Sequence, residues 1–300
     1  MRFSRFACSE QNLNLSRGDA VIPSRKSTGE ARKLLSTIAM DSSPQQFTTP
    51  ELAVVMPIYN EAANIASVLR EWFDCLDRVV PDFVLFAIND GSKDATVSVL
   101  DLLSGELGPR LRIVNKLNSG HGSSCRTGYE LALAAGARSI FQIDSDGQCD
   151  PTFFAKIYEY HSANDCVFGY RRTRDDGYGR LLIARCYRLL LWLLTGAFMR
   201  DANVPFRLMC ANALRSALRR VPPDVDLQNI ALTISLKRES DLRWKDVPIH
   251  FRARQGGENS INYHKIAKMG VRFLRDFQRI SHEDSHTGWR TRWARRRLAS

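Results

Sequence analysis

Phe141-Gln-Ile-Asp-Ser-Asp-Gly-Gln-Cys-Asp-Pro151 joins an apolar run, Ser139–Ile143, to the polar string Asp144-x-Asp146-x-Gln148. In extended chain alternate side chains share one face, so 144, 146 and 148 are expected to point the same way. Two carboxylates and an amide oxygen are hard ligands that suit Mg²⁺ or Mn²⁺. Mg²⁺ binds through one or two carboxylates plus substrate phosphates, which fits a nucleoside-diphosphate site. Asp-Gly and Asp-Pro are also ordinary turn chemistry, and the preceding apolar strand is what raises the motif above a solvated turn.

The pattern repeats upstream. Leu52–Ile58 and Phe83–Ile88 are apolar runs and Leu111–Val114 a brief one, while Ala62–Leu76, Ala95–Leu103 and Ser123–Ala135 read as helices. Strands alternating with helices of about 10–15 residues indicate βαβ units and a parallel sheet. In such sheets ligands sit beyond the carboxyl ends of the strands, where the polar motifs fall. Val54-Val-Met-Pro-Ile-Tyr-Asn-Glu61 ends the first strand with Pro57, Tyr59, Asn60 and Glu61 at its tip. A Tyr ring can stack on a base and Glu61 can accept from ribose or base; helix capping by Asn60 and Glu61 is the equal alternative. Asn89-Asp-Gly-Ser-Lys-Asp94 follows the second strand, with Asp90 placed as an acceptor and Asp94 as a helix cap. Asn118-Ser-Gly-His-Gly122 precedes the third helix, and His121 reads as a surface loop histidine. Downstream, helices are expected over 155–162, 180–197, 211–219, 227–237 and 263–280, with strands at 166–168 and 242–249.

Charge is uneven along the 300 residues. The chain carries a net +11, of which residues 1–50 hold +3 and residues 264–300 hold +7, leaving the middle near neutral. That argues against a domain whose whole surface follows a nucleic-acid backbone. Residues 1–50 lack periodicity and read as a disordered extension, a transit peptide or a late start at Met40 being the alternatives. Seven scattered cysteines without a Cys-x-x-Cys pair favour a reducing compartment over a disulfide framework. The longest apolar stretch, Leu189–Leu194, is too short to cross a hydrocarbon core of about 30 Å.

The four loops, in this order and spacing, resemble the family 2 nucleotide-sugar glycosyltransferases, which have the GT-A fold: a Rossmann-like, mostly parallel α/β sheet flanked by helices. The likeness covers about residues 51–262, with 263–300 as a basic helix and tail. Within the family the chain is most similar to the dolichyl- or polyprenyl-phosphate mannosyltransferase-like enzymes. Gln148, Gly169-Tyr-Arg-Arg-Thr-Arg174, Asp201-x-x-x-Pro-Phe-Arg-Leu-Met209 and Arg254-Gln-Gly-Gly-Glu-Asn-Ser260 carry that likeness. The resemblance implies that Pro57, Tyr59, Glu61 and Asp90 hold the nucleoside, and that Asp144, Asp146 and Gln148 bind the metal and diphosphate. It implies that Arg171 and Arg254 meet donor or acceptor phosphates, with Arg174, Asp201, Arg207 and Ser260 on the acceptor side. Three positions depart from the family pattern: Asn89 stands for an Asp, His121 for a frequent Lys, and Pro205 for a Gly.

A lipid phosphate is already anionic and needs neutralising arginines, for which Arg171, Arg172 and Arg174 ahead of the apolar 181–198 helix are suited. A hydroxyl acceptor (polysaccharide, protein or small molecule) needs a carboxylate base instead, with Asp201 and Asp226 as candidates. One displacement at the anomeric carbon implies inversion. A sugar nucleotidyltransferase is disfavoured because the loop after the first strand is not Gly-rich and basic. The tail, with Trp289, Trp293 and Arg295–Arg297, suits RNA or an anionic membrane surface. The expected partners are a nucleoside-diphosphate sugar, a lipid phosphate, the cytoplasmic membrane face as a peripheral surface, and a separate membrane-anchor subunit.

Overall fold

The computed structural model describes residues 49–171, 199–225 and 227–252. Seven strands make one mixed sheet: β1 (Leu52–Ile58), β2 (Phe83–Asn89), β3 (Leu111–Asn115), β4 (Ser139–Ile143), β5 (Cys166–Arg171), β6 (Phe206–Cys210) and β7 (Trp244–Ile249). Their order is β3-β2-β1-β4-β6-β5-β7. β1 pairs in parallel with β2 and β4, and β2 with β3, while β6 runs antiparallel between β4 and β5. The sheet is therefore of the GT-A kind, mostly parallel with one reversed strand. Among the described residues no helix is long and apolar enough to cross a membrane.

β1 is apolar throughout because both of its faces are covered: all seven residues are buried. α1 (Ile65–Val79) packs through Ile65, Val68, Leu69, Trp72, Phe73 and Leu76, the spacing of one helical face. Trp72 anchors that contact, with ring centroids of Phe141 and Phe206 at 5.8 and 5.9 Å. α2 (Thr96–Leu107) and α3 (His121–Ala134) follow β2 and β3. α3 comes close enough to β1 that a Cβ at Gly128 would lie 2.2 Å from Val55 Cγ1. α4 (Phe154–Tyr158), α5 (Ala211–Arg220) and α6 (Gln228–Lys237) complete the helices.

The expected elements are present with shifted ends. α1 starts at Ile65 rather than 62 because residues 61–64 form a turn, with Asn64 and Ile65 N–H donating to the Glu61 carbonyl. β6 was not expected from the sequence, since Arg207 interrupts its apolar run. Its register explains the exception: Arg207 pairs opposite Gln142 on one side and Phe168 on the other, inside the sheet. The helices expected at 180–197 and 263–280 lie outside the described residues.

The chain lays β1, β2 and β3 down in one direction and then returns to β4 on the opposite side of β1. Loops leaving the carboxyl ends of β1 and β4 thus diverge, and the crevice between them is the place an open α/β sheet offers a ligand.

Candidate active site

The loop after β1 is held by the loop after β2. Asn60 adopts a left-handed backbone, φ 54°, which Asn tolerates better than most residues. Its N–H donates to Ser92 Oγ at 3.0 Å, and its Oδ1 accepts from Lys93 N–H at 2.8 Å. Glu61 N–H donates to Thr96 Oγ1 and Ala62 N–H to Asp94 Oδ2. The Asn60 side chain therefore latches two loops rather than capping α1, and Tyr59 is left 43% exposed at the crevice. Asp94 caps as expected, accepting from Thr96 N–H at 3.0 Å.

Asp90 is buried at 3% exposure. One carboxylate oxygen faces the Lys116 ammonium and accepts from Ser119 N–H at 2.9 Å; the other accepts from Gly120 N–H at 2.8 Å. Burial raises this carboxyl, but Lys116 and the two N–H groups outweigh it and hold Asp90 below the usual carboxylate range. Asp90 thus builds the 116–120 loop. Asn89 uses both ends of its amide, donating to Asn115 Oδ1 at 2.8 Å and accepting from Ser92 N–H and Oγ. A carboxylate at 89 has no hydrogen to give Asn115, so the departure from Asp suits the local bonding. Gly91 has φ +65°, and a Cβ there would lie 2.8 Å from Asn118 N, so only glycine fits.

β4 ends at Ile143, and Gly147 turns the chain with φ 73°. The expectation that 144, 146 and 148 share one extended face is therefore corrected: the chain is already bending. Asp144 and Asp146 reach the crevice, whereas Gln148 sits in the turn, its N–H donating to Asp146 Oδ1 at 3.1 Å. Burial, then the neighbouring Asp146 charge, push the Asp144 carboxyl up, against the pull of His121, Arg207 and Arg171. Two neighbouring carboxylates, both part-buried, fit a divalent cation, which relieves their mutual repulsion. Among the described residues no three His, Cys, Asp or Glu side chains cluster as a full cage, so substrate oxygens would complete the shell.

His121, expected as a surface histidine, opens α3 in the crevice, with Nε2 3.7 Å from Asp144 Oδ1. Cys125 and Asp144 raise its imidazole above the usual histidine range, although the side chain is about half exposed to water. Behind Asp144, Tyr129 OH donates to Gln142 Oε1 at 3.0 Å, which turns Gln142 Nε2 toward Asp144 Oδ1 at 3.4 Å.

Arg207 is corrected. It is fully buried, bonded to the carbonyls of Val204 (2.9 and 2.6 Å) and Asn229 (3.0 Å), and lies over the Phe168 ring. It holds backbone together and has no exposed surface for an acceptor. Arg171 and Asp201 face each other in a two-pronged pair at 2.7 and 3.0 Å. Arg252 N–H donates to the Gln148 carbonyl at 3.0 Å, and its guanidinium bonds Glu71 and Asp150. Arg252 thus lies beside the Gln148 turn. Arg172, Arg174, Asp226, Arg254 and Ser260 lie outside the described residues.

Pro57, Ile58, Tyr59, Glu61, Asp90, Asn118, Gly120, His121, Ser124, Asp144, Ser145 and Asp146 line one cavity of about 390 Å³, a volume ordinary for a small-molecule site. Every residue expected to hold the nucleoside lies on it, with Asp144 and Asp146. Gln148, Arg171, Asp201 and Arg207 are not on its wall. Residues 53–221 match the model of the family described as glycosyl transferase family 2.

The chain belongs to glycosyl transferase family 2. It is a glycosyltransferase. A dolichyl-phosphate β-glucosyltransferase of Drosophila melanogaster is 26% identical over 66% of the chain and 68% of that protein. A polyprenol monophosphomannose synthase of Mycolicibacterium smegmatis is 22% identical over 75% and 88%. Against several other curated glycosyltransferases, such as one of Mycobacterium tuberculosis at 27% identity, the chain spans about half the relative's length. Among solved structures, the glucosyl-3-phosphoglycerate synthase of Mycobacterium tuberculosis with UDP superposes with a TM-score of 0.56 at 19% identity, covering 87% and 86% of the two chains. The same enzyme has been crystallised with Mn²⁺ and UDP-glucose; at this identity the likeness shows the shared fold of the glycosyltransferase.

Sequence reasoning missed Lys116, Ser124, Ser145 and the Tyr129–Gln142 pair. Lys116 directly follows β3, a position the topology alone marks as near the crevice. Gln142 alternates with the core-facing residues of β4, and a polar residue inside an otherwise apolar strand was its only signal.

Proposed function

We propose that this family 2 glycosyltransferase moves a sugar from a nucleoside-diphosphate donor to a polyprenyl phosphate of the dolichyl type, with Mg²⁺ or Mn²⁺ held by Asp144 and Asp146. The single observation that carries the donor half is the continuous cavity running from Tyr59, Glu61 and Asp90 to the two aspartates. Tyr59 offers a ring for the base at the open end, Pro57 and Glu61 shape its edge, and Asp90 holds the Asn118–Gly120 loop against it. The cation, when bound, neutralises the diphosphate and stabilises it as a leaving group. His121 lies beside Asp144 at that end, and the Gln148 backbone N–H holds Asp146 Oδ1.

On the acceptor side our reading is a nucleophile that needs no base, supported by the pairing of one of the two carboxylate candidates. Both Asp201 oxygens are committed to Arg171, so Asp201 does not stand ready to take a proton from a hydroxyl. A lipid phosphate attacks as an anion and asks only for neutralising cations; the names of the curated relatives point the same way. Arg174, Arg254 and Ser260, outside the described residues, would receive the phosphates, and Arg171 would join them only by giving up its pairing with Asp201. One displacement at the anomeric carbon inverts its configuration. We take residues 51–262 as the catalytic unit, with residues 1–50 as an N-terminal extension and the basic 263–300 segment as a peripheral contact with the cytoplasmic membrane face, aided by a separate anchor subunit.

The test is nucleoside diphosphate release from UDP-glucose and GDP-mannose, with Mg²⁺ or Mn²⁺, with and without dolichyl phosphate. Release that depends on the lipid phosphate supports the proposal. Release driven equally by a hydroxyl acceptor such as dolichol or a simple sugar overturns its acceptor half.

A further inference from the structure

We propose that Arg252 is a positioning residue for the cation: it fixes the turn that presents Asp146, acting through Gln148 and Asp150. This role rests on the reading of Asp144 and Asp146 as metal ligands and extends it to a residue off the cavity wall.

The turn from Asp144 to Asp150 leaves β4 and must hold Asp146 in one place although Gly147 bends the chain with φ 73°. A carboxylate on a turn is only as well placed as the turn, and ligating carboxylates depend on the partners behind them. One short stretch of chain supplies those partners. The Arg252 N–H donates to the Gln148 carbonyl at 3.0 Å, and the N–H of the same Gln148 donates to Asp146 Oδ1 at 3.1 Å. Phe251 pairs with Cys149 in an antiparallel bridge. The Arg252 guanidinium then donates to Asp150 Oδ1 at 2.8 Å. Residues 148, 149 and 150 are thus each met by the 251–252 stretch.

The guanidinium has a second anchor. Its Nη1 bonds both Glu71 oxygens, at 2.6 and 2.8 Å, and Glu71 belongs to α1, whose apolar face is seated in the core through Trp72 and its neighbours. Asp150 also accepts from Thr152 N–H at 2.9 Å and Thr152 Oγ1 at 2.7 Å. Arg252 therefore spans from a packed helix to the far end of the metal turn. A planar guanidinium fork can meet two carboxylates at once, whereas a lysine brings a single point charge. The side chains of Arg252, Glu71 and Asp150 are 30%, 46% and 17% exposed. The Asp150 arm is thus the more sheltered, and the Glu71 arm, nearer to water, contributes less.

The experiment follows Mn²⁺ by electron paramagnetic resonance with UDP or GDP present, whichever the wild-type chain binds more tightly, and titrates the same nucleotide without metal. Arg252→Ala should weaken Mn²⁺ binding about 3–10-fold, less than the roughly 10–100-fold of a residue bonded directly to a ligand, because Gln148 or Asp150 stands between. Metal-free nucleotide affinity should not change. Arg252→Lys should recover part of the loss, and Glu71→Gln should weaken Mn²⁺ by about 2-fold. A lower melting temperature with wild-type Mn²⁺ affinity marks a purely structural ion pair and overturns the proposal. Equal losses for Mn²⁺ and for the metal-free nucleotide overturn it as well. Should Arg252→Ala fail to fold, Arg252→Lys and Glu71→Gln carry the comparison, and wild-type Mn²⁺ affinity in both overturns the role. A wild-type chain that binds the nucleotide but gains no Mn²⁺ site with it overturns the metal reading, and the role of Arg252 with it.

Discussion

Replacing Asp90 by Asn should cost stability before it costs chemistry. The Asp90 side chain is 4% exposed and that of Lys116 17%, so the pair sits largely out of water. Removing one partner of a buried pair costs about 3–5 kcal/mol, because the other charge is left uncompensated. Lys116 keeps the Leu117 carbonyl at 3.0 Å, which places Asp90→Asn at the lower end, about 3 kcal/mol. Lys116→Met leaves Asp90 with the Ser119 and Gly120 N–H groups and should cost about 2 kcal/mol. The double variant removes both charges together and should cost less than the sum, with a coupling of about 2 kcal/mol. Urea unfolding of the four proteins measures the cycle, and titration with UDP and GDP reports the cavity. Because Asp90 shapes the 118–120 wall, Lys116→Met should weaken nucleotide binding although Lys116 is not on the cavity wall. Additive stabilities, or Asp90→Asn costing under about 1 kcal/mol, refute the view of Asp90 as the loop's organiser. An Asp90→Asn loss of nucleotide affinity at full stability would return it to a purely base-reading role.

Other perturbations separate fold from site. Gly128→Ala should destabilise by about 1–3 kcal/mol, since its Cβ meets Val55 Cγ1 at 2.2 Å; chemical denaturation measures it, and a neutral result would mean α3 slides freely over β1. Gln142→Leu should weaken Mn²⁺ binding about 10–100-fold by releasing Asp144 from its support, read by electron paramagnetic resonance titration with UDP present, and Tyr129→Phe should weaken it less. Asp90 and Asp165 both have carboxyls held below their usual values, for Asp165 by Arg243 against the opposing effect of burial. Groups lowered on folding stabilise above the unfolded value and lose that contribution as pH falls through the folded one. Melting temperature should therefore decline below about pH 4, and Asp165→Asn should flatten part of that decline.

The α/β architecture was legible because parallel strands buried on both faces are written as uninterrupted apolar runs, as in Leu52–Ile58, and the polar motifs fall directly after them. β6 was hidden because its central residue is Arg207, whose charge is met by carbonyls contributed from Ala202, Val204 and Asn229, contacts that sequence order does not display. Asp144 and Asp146 were found by their spacing, but the period-two argument failed at Gln148, since Gly147 takes a left-handed backbone and ends the extended chain. His121 is about half exposed, as a histidine in a glycine-rich loop is expected to be, but its place beside Asp144 follows from the return from β3, which sequence order does not display. The pairing of Arg171 with Asp201 joins residues 30 apart, which sequence order does not display.

The central claim is transfer from a nucleotide sugar to a lipid phosphate at the Asp144–Asp146 end of the cavity. Its most direct test incubates the full chain with radiolabelled GDP-mannose or UDP-glucose, dolichyl phosphate and Mg²⁺ or Mn²⁺, followed by organic extraction. The account predicts label in the organic phase, sensitive to chelation and lost in Asp146→Ala. Label that stays aqueous while the donor is consumed, or that enters lipid equally well in Asp146→Ala, would contradict it.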